Sequence, residues 1–343
     1  MFDSMVSRRT LLRSSAALGA LAGMPGLLSV GARAGDLTTV NMQLGWLASN
    51  GILGETVAMA KGFYAEQGVE LQVTPGGPNV DGVGATAAGH AQVGQLSSSP
   101  SLMLARSAGI PVKAIAAGYQ KHPYTYFSLS SDPIREPADM VGKKIGVQPT
   151  GQILLRALLA KNGIAEDQVE IINVGSDMNQ LLTGQVQAIT GWQTNTNALK
   201  VLGDQRVDMM LWDTGIRLYA NVYYTTDDML DNHGDVLAGY LTGSAMGWGY
   251  ARENPEEAVD ILVNTYPNLE RASELEAVGS VLSFSFDDNT KKNGWGTMDA
   301  ANWEEQIDIY ASLDQFKGET PTLDDVMSMA VLDATADIRK KVG

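Results

Sequence analysis

Lys144-Ile145-Gly146-Val147-Gln148-Pro149-Thr150-Gly151-Gln152-Ile153-Leu154-Leu155-Arg156-Ala157-Leu158-Leu159-Ala160-Lys161-Asn162 carries one complete structural unit. A β-type run over residues 144–148 is stopped by Pro149, and an apolar period of helical spacing takes over at 153–162. Strand, tight turn and helix make half of a βαβ crossover, and the same alternation continues outward in both directions. Strands are predicted over 39–44, 69–73, 112–118, 169–174, 188–191 and 207–211, and helices over 52–67, 99–108 and 195–202. Asp177 with Gln180 reads as a capping box that opens a helix over 178–183. The fold class is therefore α/β, built on mainly parallel sheets flanked by helices.

From about residue 229 the strand pattern ends. Asn254-Pro255-Glu256-Glu257 sets a cap residue, a first-turn proline and early acids before a helix over 256–266. Ser273 and Glu276 repeat the capping-box spacing, and helices over 299–313 and 323–340 complete a helical C-terminal third. Two aromatic-rich extended segments, 119–129 and 218–225, bracket a central block of about 100 residues, a domain size in its own right. They read as hinge strands of a two-lobed protein, with residues 35–120 and 222–343 in lobe 1 and 121–221 in lobe 2.

The N-terminus reads as an address. Ser7-Arg8-Arg9-Thr10-Leu11-Leu12-Arg13 precedes an Ala/Gly/Leu run broken by Pro25 and ends at Ala32-Arg33-Ala34. A basic stretch, a short apolar run and a small-residue cleavage site predict an export signal over 1–34, cut after Ala34, and the paired arginines point to the twin-arginine route. The apolar run is too short to span a bilayer, which takes about 20 residues. The 343-residue chain has net charge −15 and no cysteine. The acid excess argues against nucleic acid and anionic membrane surfaces as partners, and the missing thiols exclude a disulfide framework, a thiolate metal site, a cysteine nucleophile and a lipoprotein anchor. A freely diffusing exported protein is expected in the periplasm.

Gly45-Trp46, the run Ala60-Lys61-Gly62-Phe63-Tyr64-Ala65-Glu66-Gln67-Gly68-Val69, Gly76-Gly77-Pro78, Gly109-Ile110-Pro111-Val112, Met140-Val141-Gly142-Lys143-Lys144-Ile145-Gly146-Val147 and Asn254-Pro255-Glu256-Glu257-Ala258 occur in this order. In these marks the chain resembles the periplasmic solute-binding proteins of ABC importers, in the family that joins nitrate, sulfonate and taurine binders with thiamine-pyrimidine binders and synthases. The resemblance covers essentially the whole exported chain and implies a type II periplasmic-binding-protein fold, two α/β lobes closing over a ligand. It also implies a way to separate binders from synthases. The synthases hold pyridoxal phosphate on a lysine and consume a histidine after the glycine that matches Gly94, and here those places fall on Leu96 and Pro100. Neither offers a primary amine for a Schiff base, so no cofactor and no enzymatic activity are expected.

Other chemistry is sparse. His90, His122 and His233 lack metal-helix spacing, Gly82-Val83-Gly84 lacks the third glycine of a dinucleotide turn, and Asp227-Asp228 and Asp287-Asp288 sit beside turns. In two-lobed α/β proteins a ligand meets strand C-termini and helix N-termini. That rule selects Trp46, Asn50, Gln95, Ser97 and Ser98 in lobe 1, Thr150, Gly151, Gln152, Trp192 and Asn195 in lobe 2, and Tyr119, Gln120, Asn221 and Tyr223 on the hinges. Trp46 and Trp192 could clamp an aromatic ring, while Lys121, His122 and Arg217 are the nearby cations. The set is mostly neutral and aromatic. It predicts a small organic metabolite delivered to an ABC permease, with a thiamine-type pyrimidine or a flavin first among the classes. The alternatives are an organic anion such as an alkanesulfonate, taurine or nitrate, bound through Arg217 or Lys121, an exported cofactor-bearing enzyme, and a ligand sensor for a membrane receptor.

Overall fold

The structure, a computed structural model, describes residues 37–77 and 80–343. The export signal and its cleavage site lie outside the described residues. Ten strands follow in order: β1 (Thr38–Leu44), β2 (Val69–Thr74), β3 (Val93–Ser98), β4 (Val112–Tyr119), β5 (Tyr124–Leu129), β6 (Lys144–Val147), β7 (Glu170–Asn173), β8 (Ala188–Trp192), β9 (Arg206–Met210) and β10 (Ala220–Thr226). They form two five-stranded sheets, ordered β2-β1-β3-β10-β4 and β7-β6-β8-β5-β9.

The two orders are one plan used twice. In the first sheet β1 pairs parallel with β2 and β3, while β10 runs against β3 and β4. In the second, β6 pairs parallel with β7 and β8, while β5 runs against β8 and β9. The reversed strand of each sheet is the one on which the chain arrives from the other. Tyr119, the last residue of β4, lies opposite Ala220, the first of β10, and Tyr124, the first of β5, lies opposite Trp192, the last of β8. Both crossings thus occur at the carboxyl ends of the parallel strands, the edge where α/β sheets place ligands.

The helical C-terminal third closes on the first sheet. Helix Gly234–Glu253 packs on helix Leu53–Lys61 at backbone distance, since a Cβ on Gly247 would fall 2.0 Å from the Gly54 carbonyl oxygen. Trp248 of the longer helix stacks on Trp295 at 5.8 Å, and Trp295 packs on Tyr223 of β10 at 5.8 Å. These rings are fully buried and join helices to sheet.

Several local expectations are corrected. The helix expected over 52–67 breaks at Gly62, whose φ of 78° ends one helix at Lys61 and starts another, Phe63–Glu66. Asp177 accepts the Asn179 N–H two residues on, at 2.9 Å, and Gln180 Oε1 is buried without a partner among the described residues, so no capping box forms there. Asn254 turns its amide back to the Tyr250 carbonyl at 3.2 Å rather than capping helix Pro255–Thr265. Ser273 lies inside helix Arg271–Ser285, and residues 323–340 form short helices, Leu323–Val326, Ala330–Ala334 and Ala336–Val342. Among the described residues, no helix is long and apolar enough to cross a membrane.

Candidate functional site

The turn that follows β1 is tied to the first sheet by its own backbone. The Gly51 carbonyl accepts from Asn221 Nδ2 at 3.0 Å and from Gln95 Nε2 at 3.3 Å, and Ser49 caps the short turn Asn50–Ile52. Asn221 reaches Gly51 because its φ is 48°, a left-handed conformation that asparagine tolerates better than most residues. The backbone strain sits at the start of β10, at the chain crossing. Gln95 and Asn221 are both buried, so their amides are fixed by these bonds.

Asn50 carries the next link. Its Nδ2 donates to the Thr194 carbonyl, just past β8, at 3.3 Å and to Glu274 Oε2, on helix Arg271–Ser285, at 2.8 Å. The seam continues from there. Thr196 Oγ1 donates to the Ser273 carbonyl at 3.0 Å, and Lys200 Nζ reaches Ser273 Oγ at 3.1 Å and Glu276 Oε2 at 3.3 Å. Segment 194–200, which follows the second sheet's central strand, is thereby held to the first turn of a helix from the C-terminal third. Desolvation raises the Glu274 pKa above its ordinary value, and the Asn50 bond only partly opposes this.

An aromatic wall stands beside this seam. The Tyr119 ring lies 6.1 Å from each of Trp192, Trp248 and Phe284. Its hydroxyl is buried, points toward Asn221 and lies within the fields of Glu55 and Glu274. Trp192 also meets His122 edge-on at 5.4 Å. His122 Nδ1 accepts the Tyr124 N–H at 3.1 Å, so that nitrogen holds a lone pair, and Nε2 carries the proton it gives to Ser98 Oγ at 2.7 Å. Burial pushes its pKa down to about 3. The expected cation is therefore a neutral imidazole fastening the crossing segment to the end of β3.

The remaining predicted residues divide. Trp46 is half-buried beyond β1, and its carbonyl accepts the Gly76 N–H at 2.9 Å. Ser97 is half-buried beside Ser98 at the end of β3. Tyr223 points into the core, where its hydroxyl donates to Glu55 Oε1 at 2.6 Å. Gln120 is occupied by the Ala117 and Thr297 carbonyls at 3.1 and 2.9 Å. Thr150, Gly151 and Gln152 open helix Gln152–Lys161, with Gln152 Nε2 bonded to Asn173 Oδ1 at 2.8 Å and Gly151 pressed against the Tyr124 hydroxyl. Asn195 is exposed and caps the following helix through the Ala198 N–H at 3.4 Å. Lys121 pairs with Asp213 at 3.3 Å, and Arg217 is exposed.

The geometry thus gathers Asn50, Gln95, Ser98, Tyr119, Trp192 and Asn221, with His122, at the carboxyl edge of the two sheets. A family model described as "NMT1/THI5 like" matches residues 49–258, a span from the Gly51 turn through the second sheet and beyond β10. The chain belongs to the NMT1/THI5-like family. Among curated proteins, it is 27% identical to the formylaminopyrimidine-binding protein of Halalkalibacterium halodurans, over 79% of this chain and 84% of that one. It is 25% identical to the riboflavin-binding protein RibY of Chloroflexus aurantiacus, over 72% and 73%. A lower likeness, 21%, reaches a 4-amino-5-hydroxymethyl-2-methylpyrimidine phosphate synthase of Legionella pneumophila, over 67% and 74%. The aliphatic sulphonate binding protein SsuA of Escherichia coli shares the fold, with TM-score 0.64 at 15% identity over 86% and 92% of the two chains. The desulfurization enzyme DSZB does so at TM-score 0.59 and 14% identity, over 88% and 99%.

In this NMT1/THI5-like chain, the type II periplasmic-binding-protein fold is thus established, and within that fold both binders and enzymes occur. Glu274 and Glu55 are the acids that sequence reading passed over. Glu55 sits in the first turn of helix Leu53–Lys61, where an acid reads as ordinary helix chemistry. Glu274 lies 224 residues from Asn50, and nothing local to it marks that bond.

Proposed function

We propose that this protein is a periplasmic solute-binding protein that captures a small aromatic nitrogen heterocycle, of the thiamine-pyrimidine or flavin class, and delivers it to an ABC importer. One observation carries the reading: an amide-lined and aromatic edge where the two sheets meet. The half-buried Trp192 supplies the ring surface, with the buried Tyr119 and the uncharged His122 packed behind it, and Asn50, Gln95 and Asn221 lie beside them. A stacked aromatic ligand gains about 0.5–1.5 kcal/mol beyond area burial on such a wall. An anion binder needs a cation or a set of free N–H groups at the contact. Lys121 is paired with Asp213, and Arg217 is exposed.

Transport rather than catalysis fits the synthase-specific positions. Leu96 pairs with Val222 inside the first sheet, and Pro100 lies in the first turn of helix Ser99–Ser107, so neither place holds an amine. In this reading residues 35–120 with 222–343 form one lobe and residues 121–221 the other, hinged where the chain crosses. Ligand contacts from both lobes favour the closed form, which a permease recognises by differential affinity. Export by the twin-arginine signal, with cleavage after Ala34, brings the protein to that compartment.

Tryptophan-fluorescence and calorimetric titration of the purified chain against aminopyrimidines, riboflavin, alkanesulfonates, taurine and nitrate tests the reading. Binding of a heterocycle, weakened at least tenfold by Trp192→Ala and unchanged by Arg217→Ala, is the expected result. Binding of anions alone, abolished by Arg217→Ala, contradicts it.

A further inference from the structure

We propose that Glu274 selects the ligand's charge, its carboxylate accepting an N–H from an amino-substituted, protonatable nitrogen heterocycle and repelling sulfonates and carboxylates. The inference rests on the heterocycle-binding reading and narrows it.

Three observations meet at this residue. The first is its position. Glu274 is almost wholly buried on helix Arg271–Ser285, its Oε2 bonded to Asn50, whose same amide reaches Thr194 past β8. It therefore stands where the first sheet, the second sheet and the C-terminal helices meet, and its field reaches the buried hydroxyl of Tyr119.

The second is unused bonding capacity. Both hydrogens of the Asn50 amide are spent, one on Thr194 and one on Glu274. A carboxylate has about four lone-pair sites. Glu274 receives a single hydrogen bond among the described residues, and its Oε1 is not among the buried oxygens that lack a partner, so that oxygen is open to another donor.

The third is charge. A carboxylate taken out of water is costly unless a cation or several donors meet it. The nearby bases are committed elsewhere: Lys200 to Ser273 and Glu276, and Arg271 to Asp260 and Glu256. His122 is fixed as a donor to Ser98 through Nε2 with its Nδ1 already occupied. Glu55, the other acid near Tyr119, supplies no counter-charge either. Among the described residues no ion pair meets this acid, so a bound ligand that brings an N–H donor or a positive charge is favoured and an anion is disfavoured.

The test is calorimetric titration of the full chain with 4-amino-5-hydroxymethyl-2-methylpyrimidine, its 4-oxo counterpart and methanesulfonate, for the native protein, Glu274→Gln and Glu304→Gln. The native protein should prefer the 4-amino compound at least tenfold over the 4-oxo one and take no methanesulfonate. Glu274→Gln should lose about 10- to 100-fold in affinity for the 4-amino compound and most of the preference, the scale of one charge-assisted hydrogen bond. Glu304→Gln removes the same charge from an exposed position away from the seam and should stay within twofold. If Glu274→Gln keeps both affinity and preference within twofold, the inference fails while heterocycle binding stands. Equal affinity of the native protein for the two pyrimidines also overturns it, whether or not the variant folds. A native protein that takes methanesulfonate and neither pyrimidine overturns both readings.

Discussion

Asn50 and Thr194 are 144 residues apart in the chain, and the Asn50 amide donates to the Thr194 carbonyl at 3.3 Å, joining the turn after β1 to the turn after β8. The same amide holds Glu274 at 2.8 Å, so one side chain links three parts of the fold.

Asn50→Ala should therefore lower the free energy of unfolding by about 1–3 kcal/mol, because it strands a buried carboxylate without its donor. Urea denaturation of the variant beside the native protein measures this. A midpoint unchanged within error would mean that the link contributes nothing.

Two buried groups give opposite pH dependences. His122, held at about 3 against 6.5 when unfolded, stays neutral in the folded state, so its contribution is full above pH 6.5 and is lost as pH falls toward 3. Glu55, held at about 7 against 4.5 by burial, keeps its proton in the folded state, so its contribution is full below pH 4.5 and is lost as pH rises toward 7. Each slope is about 1.4 kcal/mol per pH unit, and between pH 4.5 and 6.5 they cancel. His122→Asn should gain stability on acidification from pH 7 to 4.5, which urea midpoints taken every half unit would reveal. A flat profile in that variant refutes the assignment.

Tyr223 and Tyr310 are both fully buried, yet their hydroxyls differ. Tyr223 donates to Glu55 at 2.6 Å, whereas the Tyr310 hydroxyl has no partner among the described residues. Tyr223→Phe should cost about 1.5–3 kcal/mol, the range for a bond to a charged or chargeable group, and Tyr310→Phe should be neutral or stabilising. Thermal melts of the two variants at pH 7 decide. Equal losses would show that the hydroxyl bond is not what distinguishes them.

Gly151 faces the Tyr124 hydroxyl so closely that an added Cβ would fall 2.0 Å from it. Gly151→Ala should destabilise by about 1–3 kcal/mol through overpacking. Adding Tyr124→Phe should recover part of that loss, because the nearest remaining ring atom stands 2.9 Å away. Simple additivity in the double variant would rule out this contact as the cause.

Much of the architecture was legible in local pattern. The run 144–162 reads as strand, turn and helix because an apolar period of two gives way to one of 3.6 across Pro149, and β6 and helix Gln152–Lys161 follow it closely. The two crossings show in the aromatic segments around Tyr119 and Tyr223, where β4 ends and β10 begins. Position alone also picked Asn50, Asn221 and Trp192, since strand ends are where side chains converge. Tyr223 shows the limit of that rule: it shares the strand with Asn221 yet points into the core, because the left-handed turn at Asn221 and the bulge at Tyr223 break the simple alternation.

The sequence by itself determined the α/β class, the two lobes' worth of strands, the helical end and the absence of thiol chemistry, because these follow from periodicity, turn residues and composition read over short windows. Only the tertiary structure decided the electrostatics of the seam. Whether His122 is a cation or a neutral donor, and whether Glu274 is a surface acid or a buried one bonded to Asn50, depends on which distant residues exclude water from them. Desolvation and long-range partnership are set by packing between segments over 100 residues apart, and no local stretch of chain carries that information.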